Sequence, residues 1–409
     1  MHALCIDRGF TAGGESAMFK TLLNKLRPTG RKTMSIPTLN KDKKFSENMV
    51  CAHELILKAK HGQKGNSEGK RYALPAFNVT TYQGIDAATE AFNTLGSSGV
   101  LAFSNSALKH FGYGDAARGL NRVHEYVNMV AKESSVKIST HFDHGDNIGE
   151  AGRKVIREAV NTLTSVMADN STDHANKCAT TLEVNIEATR EVVEMAHPLG
   201  VSVEGELGVL AGVEDEDTHS EVSTYTDPEE LKKFLIETGV LLLAPTIGTM
   251  HGPNKGKPGD VVKLNIDLAH DCLKIADAIN KDIVFVAHGA STLYKNVVDH
   301  AVAQLKDLGS ISSAAETWSN FVGTDWQQIE GLIEAGFCKI NTDTENRQTY
   351  LASLLAAVKE SPAKIDIRYF EKATYKGLYN SYLQKLIMAG NYGVWHEPKI
   401  DVNSFKFEL

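Results

Sequence analysis

From residue 73 onward, short apolar or β-branched runs alternate with segments of helical periodicity. Eight runs stand out. They start near Leu74 (LPAFNV), Gly99 (GVLAF), Val136 (VKISTHF), Thr164 (TSVMAD), Val201 (VSVEGEL), Val240 (VLLLAP), Asp282 (DIVFVAHG) and Phe337 (FCKINT). Successive starts lie 25 to 55 residues apart, which leaves room for a helix and two loops each time. Eight strands alternating with helices predict an α/β chain closed into a (β/α)8 TIM barrel. An open doubly wound sheet is the alternative. It usually carries a glycine-rich turn after its first strand, and none follows Val79.

On this pattern one barrel domain covers residues 41–400, after a flexible leader over 1–40 and before a short tail over 401–409. The longest interval separates the seventh and eighth runs, and residues 304–327 read as an insertion there. It is expected to extend the helix layer, with cover for the mouth of the barrel as the alternative. Two helix starts carry caps. Asp227-Pro228-Glu229-Glu230 offers an N-cap acid, proline at the first helical position and early acids. Thr180 with Glu183 reads as a capping box. Residues 49–60 and the stretch from Thr344 to about residue 389 also read as helical.

Composition narrows the function classes. The formal net charge is −8, which disfavours a nucleic-acid binder that neutralises phosphates but leaves room for a small anionic substrate in a local basic pocket. No apolar run is long enough to span a membrane. The five cysteines are widely spaced and form no C-x-x-C pair, so a disulfide framework and a cysteine zinc site are both disfavoured, and a reducing, cytoplasmic setting is expected. Residues 1–32 are basic-biased without an apolar core. A flexible leader is the expectation there, and organelle targeting the alternative.

In such a barrel the chemistry belongs at the C-terminal strand tips. His144, His251 and His288 fall at three different tips, an arrangement that suits a catalytic zinc with an open position for substrate. Gly252 and Gly289 follow two of them and allow close backbone approach to a ligand. Strict alternation puts His141 and Asp143 on one face and His144 on the other. A turn at the tip, aided by Gly145, would bring Asp143 and His144 to the mouth together and leave His141 structural. Asp143 then either orients an imidazole or performs acid–base chemistry. The acidic stretch over residues 210–216 (LAGVEDE) is either a solvated charge run or a mobile loop that carries Glu214 or Asp215 over the substrate.

The ordered set HFDHG, SVMADNS, GVSVEGELGVLAGVED, LLLAPTIGTMHGPNKG, FVAHGAS and KINTDTEN resembles the class II, zinc-dependent fructose-1,6-bisphosphate aldolases, a family that includes tagatose-bisphosphate aldolases. The resemblance covers about residues 73–390. It implies a lyase that cleaves fructose 1,6-bisphosphate in glycolysis and gluconeogenesis, with zinc on His144, His251 and His288. Asp143 is implied as the base for the C4 hydroxyl and Glu214 as the carrier of the C3 proton. Asp169 and Glu206 are implied for a second divalent ion, with a monovalent cation (Na+ or K+) nearby. Gly252, Gly289, Ser291, Asn341, Asp343, Thr344, Asn78 and Ser104 match substrate contacts, and homodimers or homotetramers are usual. Two features depart from the pattern. His-Gly-Ala stands where His-Gly-Gly is frequent. The C-terminal Asp-Pro-Arg, whose arginine takes the distal phosphate, has its nearest match at residues 369–372, so that Lys372 or Arg368 is expected in its place. The competing readings are a Schiff-base aldolase on Lys339, a metal-dependent hydrolase and a non-catalytic metal-binding scaffold.

Overall fold

The computed structural model describes residues 36, 39, 45–61, 71–173, 178–209, 212–214, 218–220, 225–253, 255, 257, 262–307 and 312–407, with no side-chain description at 212–214, 218–220 and 312. The expected leader lies almost wholly outside them. Eight parallel strands close into a barrel in the order β1-β8-β7-β6-β5-β4-β3-β2. They are β1 (Leu74–Asn78), β2 (Gly99–Phe103), β3 (Ile138–Gly145), β4 (Ser165–Ala168), β5 (Ser202–Leu207), β6 (Leu242–Pro245), β7 (Val284–Ala287) and β8 (Phe337–Thr342). Pairing of Leu74 with Lys339 and of Phe77 with Thr342 closes the ring. The predicted TIM barrel is therefore present, with each strand starting within about two residues of its expected position.

Thirteen helices are described: α1 (Ala52–Lys60), α2 (Tyr82–Leu95), α3 (Asn105–Phe111), α4 (Ala116–Glu133), α5 (Glu150–Thr162), α6 (Leu182–Ala196), α7 (Pro228–Thr238), α8 (Ile266–Ile279), α9 (Lys295–Asp307), α10 (Ser312–Ser319), α11 (Trp326–Ala335), α12 (Thr344–Glu360) and α13 (Ile367–Met388). Asp227 caps α7 as its sequence predicts, accepting from the Glu229 and Glu230 amides. The cap of α6 is one residue later than expected. Thr181, not Thr180, accepts from the Val184 amide, because the Thr180 hydroxyl is drawn away to the Asn170 carbonyl. The described part of residues 304–327 makes contacts in two directions. Helix α10 packs beside α9, while the chain beyond it bonds to the loop after β6 through Val322 N to Pro253 O (2.6 Å) and Lys255 N to Val322 O (3.2 Å).

The core carries one feature unusual for a barrel lined by aliphatic side chains. His141, Glu204 and Lys339 are all 0 % exposed. The Lys339 ammonium sits 2.7 Å from Glu204 Oε2, and His141 Nδ1 bonds Ser165 Oγ at 2.8 Å. After α13 the chain turns back across the start of the barrel. Ala73 N bonds Ala389 O, Gly393 N bonds Leu95 O, and Val394 and Trp395 N both bond Gly96 O. Phe405 packs on the main core and the Phe407 ring lies 4.9 Å from Tyr294.

Candidate functional site

A cavity of about 990 Å³ opens at the C-terminal ends of the strands. Its floor is built by β3. The register of β3 against β4 shifts between Phe142 and Gly145, and His144 adopts φ +51°. Left-handed backbone at a non-glycine residue is strained, and it breaks the alternation that would separate Asp143 from His144. Both now line the cavity, while His141 stays in the core.

The imidazoles of His144, His251 and His288 converge. Their ring centres are 4.7 Å (His144–His288), 5.3 Å (His144–His251) and 6.0 Å (His251–His288) apart. One ring nitrogen from each lies within 4.8 Å of the other two. His288 Nε2 is held 2.8 Å from Glu204 Oε1, which turns Nδ1 toward the cluster. That Nδ1 is buried with no hydrogen-bond partner. It lies 3.3 Å from Glu206 Oε2 but without hydrogen-bonding geometry. Burial opposes the charged form of His288, yet Glu204 and Glu206 push its pKa up to about 9, whereas burial and the neighbouring histidines hold His251 well below its ordinary value. A buried nitrogen left without a partner, among three imidazoles with carboxylates behind them, fits a divalent metal and its supporting carboxylates.

A second group shares His144. Its Nδ1 is 2.8 Å from Asp169 Oδ2 and 4.0 Å from Glu206 Oε2. Asp169 is steadied by the Ser171 hydroxyl at 2.7 Å. Burial, and then the Asp169 charge, raise the Glu206 pKa, as expected of neighbouring buried carboxylates.

Asp143 is clamped from two sides. Asn78 Nδ2 donates to Oδ2 at 2.8 Å and Asn341 Nδ2 to Oδ1 at 3.1 Å. Burial alone would raise its pKa, but His144, His288, His141 and Lys339 hold the carboxyl below its ordinary range. The Oδ1 atoms of both asparagines are buried without hydrogen-bond partners. Across the cavity, Ser291 Oγ accepts from the amides of Asp343 (3.1 Å) and Thr344 (3.3 Å), tying the loop after β7 to the start of α12. Gly289 has φ +62°, and a Cβ there would meet Met250 O at 2.4 Å. Gly252, with φ +75°, also lines the cavity. Ser104 lines it too, while its hydroxyl caps α3.

The structure thus gathers in one place Asn78, Ser104, Asp143, His144, His251, Gly252, His288, Gly289, Ser291, Asn341, Asp343 and Thr344, with Asp169 and Glu206 directly behind His144. The Glu214 backbone pairs with Thr218 in a two-stranded ribbon after β5, and its side chain lies outside the described residues, as does Asp215. Lys372 is not brought to the site. It is exposed on α13, whose first turn is fixed by the Asp366 cap and by the Arg368–Asp366 pair (2.8 Å). Neither Lys372 nor Arg368 lines the cavity. Lys339, the residue a Schiff base would need, is sealed in the core against Glu204.

Four residues contribute here to which the sequence assigned no role. Lys255 is buried in the cavity wall, donates to Thr324 Oγ1 (3.0 Å) and to Gly289 O, and is shifted by burial to a pKa of about 7. Its signal was its place four residues after His251. Glu204 shares its strand face with Glu206, but its pairing with Lys339 and His288 on neighbouring strands is not written in the sequence. Trp318 and Phe321, whose rings are 5.8 Å apart, line the cavity from the end of α10.

Comparison with known proteins agrees with this geometry. The family profile described as "Fructose-bisphosphate aldolase class-II" matches residues 65–393. A fructose-bisphosphate aldolase of Thermus caldophilus is 33% identical over 310 residues, 75% of this chain and 89% of that protein. Its counterpart in Helicobacter pylori (strain J99) is 30% identical over 346 residues, 84% of this chain and 98% of the relative. Among solved structures, the fructose-bisphosphate aldolase of Campylobacter jejuni superposes with a TM-score of 0.62 at 19% identity, covering 87% of this chain and 97% of the other. The YdjI aldolase of Escherichia coli K12 gives 0.58 at 22%, covering 85% and 100%. These two likenesses speak for the fold, and the sequence matches go further: the chain belongs to the class II fructose-bisphosphate aldolase family of carbon–carbon lyases.

Proposed function

We propose that this protein is a metal-dependent aldolase that reversibly cleaves fructose 1,6-bisphosphate to dihydroxyacetone phosphate and glyceraldehyde 3-phosphate, serving glycolysis and gluconeogenesis in the cytoplasm. The observation that carries the reading is the Asp143 carboxylate clamped by Asn78 and Asn341 beside three converging imidazoles. His144, His251 and His288 would hold the catalytic zinc; His144, Asp169 and Glu206 offer a place for a second divalent ion, and a monovalent cation belongs near the phosphate contacts. A bound divalent ion supplies Lewis-acid polarisation of the substrate ketone.

The chain's own residues do the rest. Asp143, kept ionised, takes the C4 hydroxyl proton as the C3–C4 bond breaks and C4 becomes the aldehyde carbon. Glu214 returns a proton to C3 from the ribbon after β5. Asn78 and Asn341, both in the cavity wall, hold that carboxylate and are assigned contacts to substrate. Gly252, Gly289, Ser291, Asp343 and Thr344 receive the phosphate of dihydroxyacetone phosphate, with Lys255 supplying charge beneath. Lys372 or Arg368, both exposed and outside their own chain's cavity, is assigned the distal phosphate in a second copy of the homodimer or homotetramer.

The test is a panel of ketose bisphosphates, fructose and tagatose forms included, assayed with and without chelator. Cleavage of the fructose form should depend on metal, and Asp143→Ala should lower kcat by about 10²–10⁴. Chelator-insensitive cleavage, or full activity in Asp143→Ala, would overturn the assignment. A preference for the tagatose form would change the substrate and leave the chemistry in place.

A further inference from the structure

At the other end of the barrel, where the strands begin, lies a second cavity of about 390 Å³. The end of α1, the residues just before β1, the outer face of α8 and the entry to β8 form its wall. None of these belongs to the site above.

The charge around it is uneven. Four permanent cations line the wall, Lys60, Arg71, Lys274 and Lys281, against one carboxylate, Asp277. His61 and His270 stand among them. The whole chain carries a net charge of −8, so its general field repels anions, and a concave surface gathering cations runs against that field. Some of the charge is already engaged. Lys60 pairs with Asp277 at 2.7 Å, Lys274 with Asp271 at 3.2 Å, and His61 lies 3.8 Å from Asp282. Among the described residues, no carboxylate lies within ion-pair distance of Arg71 or Lys281.

Arg71 is held in place rather than left to wander. One guanidinium nitrogen donates to Glu334 O at 3.2 Å. The same nitrogen lies over Gly336, where a Cβ would come within 3.0 Å of it and where φ is +120°. One nitrogen is thus anchored to backbone over a residue with no side chain, and among the described residues the other donors of the planar fork remain for a ligand. Behind the cations, Leu273, Ile333 and Cys338 form an apolar floor.

We propose that this cavity is a binding site for a small phosphorylated metabolite, distinct from the aldolase site. The arginine fork and surrounding ammonium groups match the several oxygens and double charge of a phosphate group. The volume accommodates the remainder of a small metabolite against the apolar floor.

The probe is inorganic phosphate, titrated calorimetrically into the full chain. Wild-type protein should bind phosphate at both ends of the barrel, at this cavity and at the aldolase site. Arg71→Met combined with Lys281→Met should weaken the first about tenfold or more while leaving the KM for sugar bisphosphate unchanged. Lys255→Met should weaken the second. Lys281→Glu alone, a change at an exposed side chain, should weaken the first in the same direction and guards against misfolding of the double variant. Unchanged phosphate binding in both the double variant and Lys281→Glu would overturn the proposal, as would wild-type binding of a single phosphate that Lys255→Met removes. Phosphate binding is read without aldol turnover, so this result stands apart from the assay of function.

Discussion

His288 owes its orientation to a residue that touches no substrate. Lys339 neutralises one oxygen of Glu204, and the other fixes His288 Nε2. Glu204→Gln should therefore lower zinc affinity by about 10–100-fold, read by competition with a chromophoric chelator, even where added metal restores turnover. A second residue-scale prediction concerns Lys255. Its pKa of about 7 means that at pH 8 most of the amine is neutral. A phosphate dianion bound nearby raises that pKa, so phosphate binding should take up close to one proton at pH 8 and far less at pH 6, where the amine is already charged. Calorimetry in buffers of different ionisation enthalpy measures the uptake, and Lys255→Met should abolish it. At this scale the sequence was partly readable. Residue type and tip position singled out His144, His251, His288 and Asp143, whereas the roles of Glu204 and Lys255 depend on the groups they meet across neighbouring strands and loops, and those are not written locally.

At the scale of elements, the alternation of short apolar or β-branched runs with helical segments was enough to place all eight strands, because barrel strands buried on both faces are rich in apolar residues even where a buried polar one interrupts them. Caps were readable where one residue type competes for the role, as at Asp227, and slipped by one where Thr180 and Thr181 stand side by side. Asp227→Ala should cost about 1 kcal/mol in denaturant unfolding, since it leaves two amides of α7 without their acceptor. Gly289→Ala is expected to do far more. It forces a left-handed residue and a contact with Met250 O, so substrate affinity should fall with the displaced loop, seen as a raised KM. The helix inserted before β8 could not be aimed from sequence, because its direction is set by hydrogen bonds to a loop more than fifty residues earlier.

The molecule as a whole is predicted to answer to metal. Three imidazoles and two carboxylates brought together from five strand ends repel or stay desolvated until a cation joins them. Saturating zinc at about 1,000 times its Kd should add about 4 kcal/mol to stability, so chelation should lower Tm by several degrees. An unchanged Tm would argue that the site is empty in the working protein.

The turn-back of residues 389–399 has a consequence in time. Those residues are synthesised after every strand, yet they bond to Ala73 at the edge of β1 and to the turn between α2 and β2. A ribosome that has delivered all eight strands still holds the clasp that secures the first two. The barrel is therefore expected to complete itself only once these residues have left the ribosome, and a message truncated near codon 390 should yield a product that surveillance proteases remove, although it encodes every residue of the proposed aldolase site.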